Sequence, residues 1–400
     1  MIKKKKAIIL IFISILLLPV LWGETIEKRD TNLTQERYFG VFTGWSELFR
    51  DTSKEMVVSE DGSIYVVSPA DHNVLVFNDS GILENRFGKH GQKDGELFYP
   101  ASISILDDKY LVVVDYAFNC KFTLFDLQGN FKRVVKTEKP IYSLVPLTKN
   151  RVAYLYQERI YYRDKEEIDR KILIFIKNLK NGKEIEAESF LLRDSSVILA
   201  GKKENKKKYS IYAYYKGDVF IERSAKGELL VGLSSLPEIK KYSPSNGKLT
   251  GTIKLAIKPQ KVEAEYKKRF RETQEKKIAD RQYAVEFKVE LLNKINSVEY
   301  FFDENLPYYK KILVDDRGKI IVILENSLFD DKSIHFQVYS PEGKFQYSST
   351  LDLGEYELDM NSLRWFRKLY FTRDYVYALV TPKGEKNSLR LVKFKIKSNK

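Results

Sequence analysis

Few side chains in this 400-residue chain are suited to proton, nucleophile or metal chemistry. The three histidines, His72, His90 and His335, fall in three different segments, so their spacing supplies no His-pair metal motif. Cys120 is the single cysteine. It can form no intramolecular disulfide, and within Asn119–Phe125 it reads as a small core or edge residue, not a nucleophile. No Gly-x-Ser-x-Gly elbow occurs, and no Gly-Lys-Ser/Thr loop to cradle a phosphate. Gly88-Lys-His-Gly91 is glycine-rich but lacks the P-loop pattern. Asp115 ends a strongly apolar run and reads as a turn or loop aspartate, with calcium ligation as the alternative.

The elements that must position these groups are strands. Tyr (26) and Phe (24) are abundant, and both suit pleated, half-buried surfaces. Self-similarity then decides the architecture. Met56–Val67 followed by Asn73–Gly81 has the same order as Ile103–Val114 followed by Lys121–Gly129. Each has a short strand, a polar turn, an apolar strand, a loop and a third alternating strand. Each then turns, at Asn78-Asp-Ser-Gly81 or Asp126-Leu-Gln-Gly129, into a fourth strand. Asp, Asn and Gly at such corners favour tight hairpins. Looser copies begin at Leu144, Val219, Lys311 and Leu369, which makes six units.

The joints repeat as well. Phe87-Gly88, Gly91, Gly95-Glu-Leu-Phe98 and Pro100 link the first two units, and Phe39-Gly40, Gly44 and Glu47-Leu-Phe49 precede the first in the same order. The sixth unit shows three strands before the chain stops, while Arg37–Val41 looks like a fourth strand with no unit of its own. The economical reading is a ring in which the N-terminal strand completes the last unit, leaving only short, protected strand edges.

These joints and the Asp-x-x-Gly turns resemble NHL-type repeats of six-bladed β-propellers. The resemblance is closest over Phe39–Gly129, looser over Val219–Gly247 and Lys311–Gly343, and faint elsewhere. It implies an all-β six-bladed propeller over residues 36–400, closed by the N-terminal strand, and typically a binding role. It does not imply one ligand. Some six-bladed propellers are calcium-dependent lactonases or lyases with carboxylates around the channel. Here Ser68 stands in the first unit where Asp115 stands in the second, so no ring of carboxylates is evident. Candidate ligand-face residues are Trp45, His90, Asp94 and Tyr99 in the joints, Asp115 near the channel mouth, and Trp365 before the sixth unit. Burial of these aromatics between blades is the alternative.

One segment departs from the repeat. Residues 259–296 lack glycine, have no proline after Pro259, and are rich in Lys, Arg, Glu and Ala. Glu265 and Arg269 are spaced to pair across a helical turn, and Val262, Tyr266 and Phe270 form an apolar edge. The expectation is an α-helical insertion of one or two helices between blades four and five. It would serve as a lid or partner-binding arm, or merely cover the rim. Its basic residues also permit contact with a membrane surface.

The N-terminus has the order of an export signal. Lys3–Lys6 precede an apolar run from Ala7 to Leu18, then Pro19 and a small residue, Gly23. Residues 1–23 therefore read as a signal peptide or an uncleaved membrane anchor, shorter than the roughly 20 apolar residues a spanning helix needs. Formal net charge is +14, but Lys and Arg alternate with Asp and Glu along most segments, and Lys202–Lys208 is the dense internal block. Export disfavours a nucleic-acid partner despite that charge. The sequence thus points to a periplasmic, cell-envelope or secreted binding or scaffold protein recognising a protein, peptide or glycan. It implies no cofactor. Membrane contact would come through an uncleaved anchor. The alternative is a calcium-dependent propeller hydrolase or lyase.

Overall fold

The computed structural model describes residues 33–39, 55–115, 120–148, 150–162, 167–194, 210–212, 217–279, 285–297, 299–325, 333–358, 363, 367–385 and 389–396. Five four-stranded antiparallel meanders follow one another, and a sixth sheet combines strands from both ends of the chain. Blade one comprises Met56–Val58, Ile64–Ser68, Asn73–Phe77 and Leu83–Phe87. Blade two spans Pro100–Lys136, blade three Ser143–Asp194, blade four Val219–Lys254 and blade five Tyr309–Asp352. In the sixth sheet Leu369–Phe371, Tyr375–Pro382 and Arg390–Ile396 pair in order, and Leu33–Phe39 pairs antiparallel with Arg390–Ile396.

The first strands of successive blades lie side by side, including those of blades six and one. Side chains alternate across each strand, so every blade has two faces and each face meets a different neighbour. In blade one, Met56, Val58, Ile64, Val66, Leu75 and Phe77 pack on Leu379 and Leu391 of blade six. The intervening Val57, Tyr65, Val67, Val74 and Val76 pack on Ile103, Leu111 and Val113 of blade two. Four more clusters fill the remaining interfaces. Burial on both faces explains why the second and third strands read as continuous apolar runs, a pattern shared with buried parallel sheets. Outer strands such as Leu83–Phe87 are mostly exposed, and their sequences are polar.

The turn glycines have a packing reason beyond their left-handed backbone. Gly129 has φ +89°, and a Cβ there would come within 2.4 Å of the Phe87 ring on the preceding blade. Gly343, at φ +95°, stands in the same relation to Ile253. At these two turns the Gly therefore fits one blade's hairpin against the preceding blade's outer strand.

Two additions interrupt the repeat. The second and third strands of blade three run to 12 residues each, Arg151–Tyr162 and Glu167–Asn178, far longer than in blade one. Helices α1 (Ala264–Ala279) and α2 (Val285–Ser297) follow blade four in the chain and pack on each other. No helix among the described residues is long and apolar enough to cross a membrane.

Candidate ligand face and central channel

A four-stranded antiparallel meander starts and ends at the same end of the blade. The joints between blades and the loops between second and third strands therefore share one end of the ring, and the short hairpin turns share the other. Both additions, the long blade-three hairpin and α1–α2, emerge at the joint end. At the same end the joint between blades three and four meets the chain returning from α2, where Ser210–Tyr212 pairs in parallel with Glu299–Phe301.

Of the candidate face residues, His90 and Asp94 are exposed in the joint between blades one and two, and Tyr99 is 39% exposed. The fold also brings His72 to His90, with ring centroids 4.3 Å apart, a proximity that linear spacing did not reveal. His72 lies in the left-handed region at φ +56°. Its Nδ1 lies 2.5 Å from the Phe98 carbonyl oxygen. A carbonyl only accepts, so Nδ1 carries the proton of this hydrogen bond. Asp115 is 2% exposed and serves the joint. It accepts from the backbone N–H groups of Phe98 and Tyr99 and lies 3.7 Å from Lys121 Nζ. Trp45 and Trp365 lie outside the described residues, as do the first 23 residues and Lys202–Lys208.

The central channel holds a charged set that sequence reading missed. Glu55 sits just before the first strand of blade one and is buried. One of its carboxylate oxygens accepts from Arg367 N–H at 3.0 Å, and the other from Ile103 N–H at 3.2 Å. It thus ties blades six, one and two. Glu222, on the first strand of blade four, accepts from Arg367 Nη2 at 2.6 Å and from Arg223 N–H at 3.0 Å. Lys311, on the first strand of blade five, lies in the field of the same groups. Burial pushes its ammonium below the usual lysine range, with Glu55 opposing that shift and Arg367 adding to it. Burial also works against the charged Arg367 guanidinium, but Glu222 and Glu55 outweigh it and hold its pKa above the ordinary arginine value. The available signal was a charged residue inside a strand that ring closure buries: Glu222 and Lys311 stand in first strands whose other residues, apart from Arg223 and Lys310, are apolar.

The insertion is a separate small body. Val262, Tyr266 and Phe270 pack on Leu306 and Phe302 of the returning chain. The expected Glu265–Arg269 pair is present at 3.0 Å. At its base, Val262 N–H donates to Glu304 O and Leu306 N–H to Gln260 O. Val285, Phe287 and Val289 of α2 are exposed.

Below the insertion lies a cavity of about 410 Å³ between the end of blade four and the outer strands of blade five. Next in sequence to the lining residues Ile257 and Phe336, a polar clamp ties the end of blade four to the third strand of blade five. Ala256 N–H donates to Tyr339 Oη at 2.8 Å, Tyr339 Oη donates to Gln337 Oε1, and Gln337 Nε2 donates to Ala256 O at 2.9 Å. Burial raises the Tyr339 phenol to about 12, so it keeps the proton it donates. Within the lining, His335 Nδ1 is hydrogen-bonded to Thr350 Oγ1 at 2.8 Å.

Six blades around a charged channel define a β-propeller. The chain belongs to the 6-bladed beta-propeller family DUF5128, whose model matches residues 51–319. Its relationship to NHL-repeat proteins is visible in curated relatives. It is 29% identical over 97 residues to the E3 ubiquitin-protein ligase NHLRC1 of Rattus norvegicus, and equally to that of Mus musculus, covering 24% of this chain and 24% of each relative. The chain thus spans about a quarter of the length of those relatives. Among solved structures, a Bacteroides fragilis protein described as exported superposes with a TM-score of 0.51 at 13% identity, covering 94% of this chain and 98% of that one. A DUF4221 family member from Bacteroides vulgatus gives 0.50 at 10% identity, covering 93% and 100%. At these identities the likeness is one of fold.

Proposed function

We propose that this protein is an exported binding or scaffold propeller that recognises a protein, peptide or glycan through its joint end. In this reading the strand Leu33–Phe39 closes the ring, residues 1–23 direct or anchor export, and α1–α2 form a recognition arm between blades four and five. The observation that carries the reading is the emergence of both non-repeat additions at one end of the ring, where the chain returning from α2 also pairs, through Glu299–Phe301, with Ser210–Tyr212 of the joint between blades three and four. Loops on a rigid scaffold are where propellers and other folds carry binding groups.

The channel chemistry supports binding over calcium-dependent catalysis. Both oxygens of Glu55 and both of Glu222 already accept hydrogen bonds from the protein. A calcium ion there would have to displace Arg367 as well as backbone donors. His90, Asp94 and Tyr99 remain the exposed contact candidates, and no nucleic-acid partner is proposed.

The test is affinity capture from the producing cell's envelope fraction with the intact protein and with a variant lacking residues 261–305. A partner captured by the first and lost by the second supports the reading. An identical set of captured molecules with both would remove the arm from recognition.

A further inference from the structure

The blade-four to blade-five cavity is not required by the repeat. It exists because the chain leaves blade four at Leu255–Pro259 towards the insertion, and because the outer strand of blade five carries Ser348-Ser349-Thr350 where bulkier residues would fill the space. At about 410 Å³ it falls in the size range of small-molecule sites. Its lining is chemically specific. Thr350 and Ser348 supply hydroxyls from one strand, and His335 an imidazole held by Thr350. Gln260 adds a carboxamide at the rim, and half-buried Tyr308 an aromatic wall.

Charge narrows the class of ligand. Glu325 lines the cavity but lies 2.9 Å from Lys310 Nζ, with both side chains only 10% exposed. That pair is balanced, so the site offers a cation no uncommitted carboxylate. An anion would find Lys258 alone at the exposed rim. Hydroxyl, imidazole and amide groups beside an aromatic face suit a ligand that is itself neutral, rich in hydroxyls and apolar on one ring face.

We propose that this cavity binds a neutral saccharide of one or two rings, with Thr350, Ser348 and His335 reading its hydroxyls and Tyr308 meeting its ring face. The clamp through Ala256, Gln337 and Tyr339 fixes the strands that carry the lining residues Ile257 and Phe336, which lowers the ordering cost of binding. The inference rests on the binding reading above and assigns that reading a site and a ligand class.

The experiment is saturation-transfer NMR on the full chain with the methyl glycosides and the free forms of glucose, galactose, mannose and N-acetylglucosamine, each at about 5 mM, suited to a weak site. At least one should show transfer. Its affinity should fall about tenfold in Ser348→Ala/Thr350→Val, which adds no bulk to the cavity and removes two hydrogen-bonding groups. If that variant does not fold, Tyr308→Leu on the opposite wall carries the same expectation. Transfer to the methyl glycoside points to a glycan-linked sugar, and transfer only to the reducing sugar points to a free one. No transfer from any of the eight, or transfer unchanged in the folded variants, would overturn the proposal. Loss of sugar binding with arm-dependent capture intact would sink this inference alone.

Discussion

Arg367, just before the first strand of the sixth blade, donates through Nη2 to Glu222 of the fourth blade at 2.6 Å, crossing the position of Lys311 on the fifth. The contact links two blades that are not neighbours in the ring. A charge pair this enclosed costs desolvation on both sides, and removing one member leaves the other unanswered. Glu222→Gln is therefore expected to destabilise the protein by about 3–5 kcal/mol, whereas Glu222→Leu combined with Arg367→Met should cost much less. Guanidinium unfolding of the two variants checks this. Equal losses would mean that the pair itself, not the stranded charge, supplies the stability.

The turn aspartate Asp126 gives a pH-dependent contribution of known sign. Burial acts to raise its pKa, but Lys132 and Asn130 hydrogen-bond its carboxylate and lower it from 3.8 to about 2. The folded-state value lies below the unfolded one. Its stabilisation is thus complete above about pH 4 and lost as pH falls through about 2. The turn is open to solvent, so the size is under about 1 kcal/mol. The stability gap between wild type and Asp126→Asn should shrink from pH 4 to pH 2. A constant gap would assign the turn's stability to geometry alone.

Gly129→Ala tests why the repeat keeps its turn glycine. The new Cβ would meet the Phe87 ring at 2.4 Å on a left-handed backbone. The expected loss is about 1–3 kcal/mol by urea unfolding. Gly182→Ala is the control, because nothing lies within 4 Å of a Cβ there and only the φ +72° backbone is strained. Equal losses at both sites would remove the inter-blade contact from the explanation.

The helical hairpin should be dispensable for folding. Gln260 and Leu306 are hydrogen-bonded neighbours at its base, and its apolar cluster is separate from the one between blades four and five. Replacing residues 261–305 with Asn-Gly is expected to leave a single cooperative melt within about 5 °C of wild type. Loss of cooperative unfolding would show that the insertion braces the ring.

Much of the blade architecture was readable because burial on both faces imposes apolar runs, and because turns such as Asp126–Gly129 need particular residues. The heptapeptide-scale pattern around Val262, Tyr266 and Phe270 likewise marked a packed helix edge. The fourth strand of blade three, Glu184–Asp194, was not legible, since a register shift between Glu186 and Glu188 breaks the alternation of its packed residues Ala187, Phe190 and Leu192. The channel was not legible for a different reason. Glu55, Glu222, Lys311 and Arg367 come from four blades, and only ring geometry converges them. His72 and His90 meet because blade one's meander returns its loop and its exit joint to one end, and the hydroxyl wall at Ser348–Thr350 has no meaning until the insertion leaves a space beside it.

Calcium calorimetry on the purified protein bears most directly on whether this is a binding propeller or a metal-dependent enzyme. With the Glu55 and Glu222 oxygens committed to Arg367 and to backbone donors, the expected result is no binding heat and no rise in melting temperature at about 1 mM calcium. Stoichiometric binding with a Kd below about 10 µM, abolished by Glu222→Gln, would contradict it and place the metal in the channel.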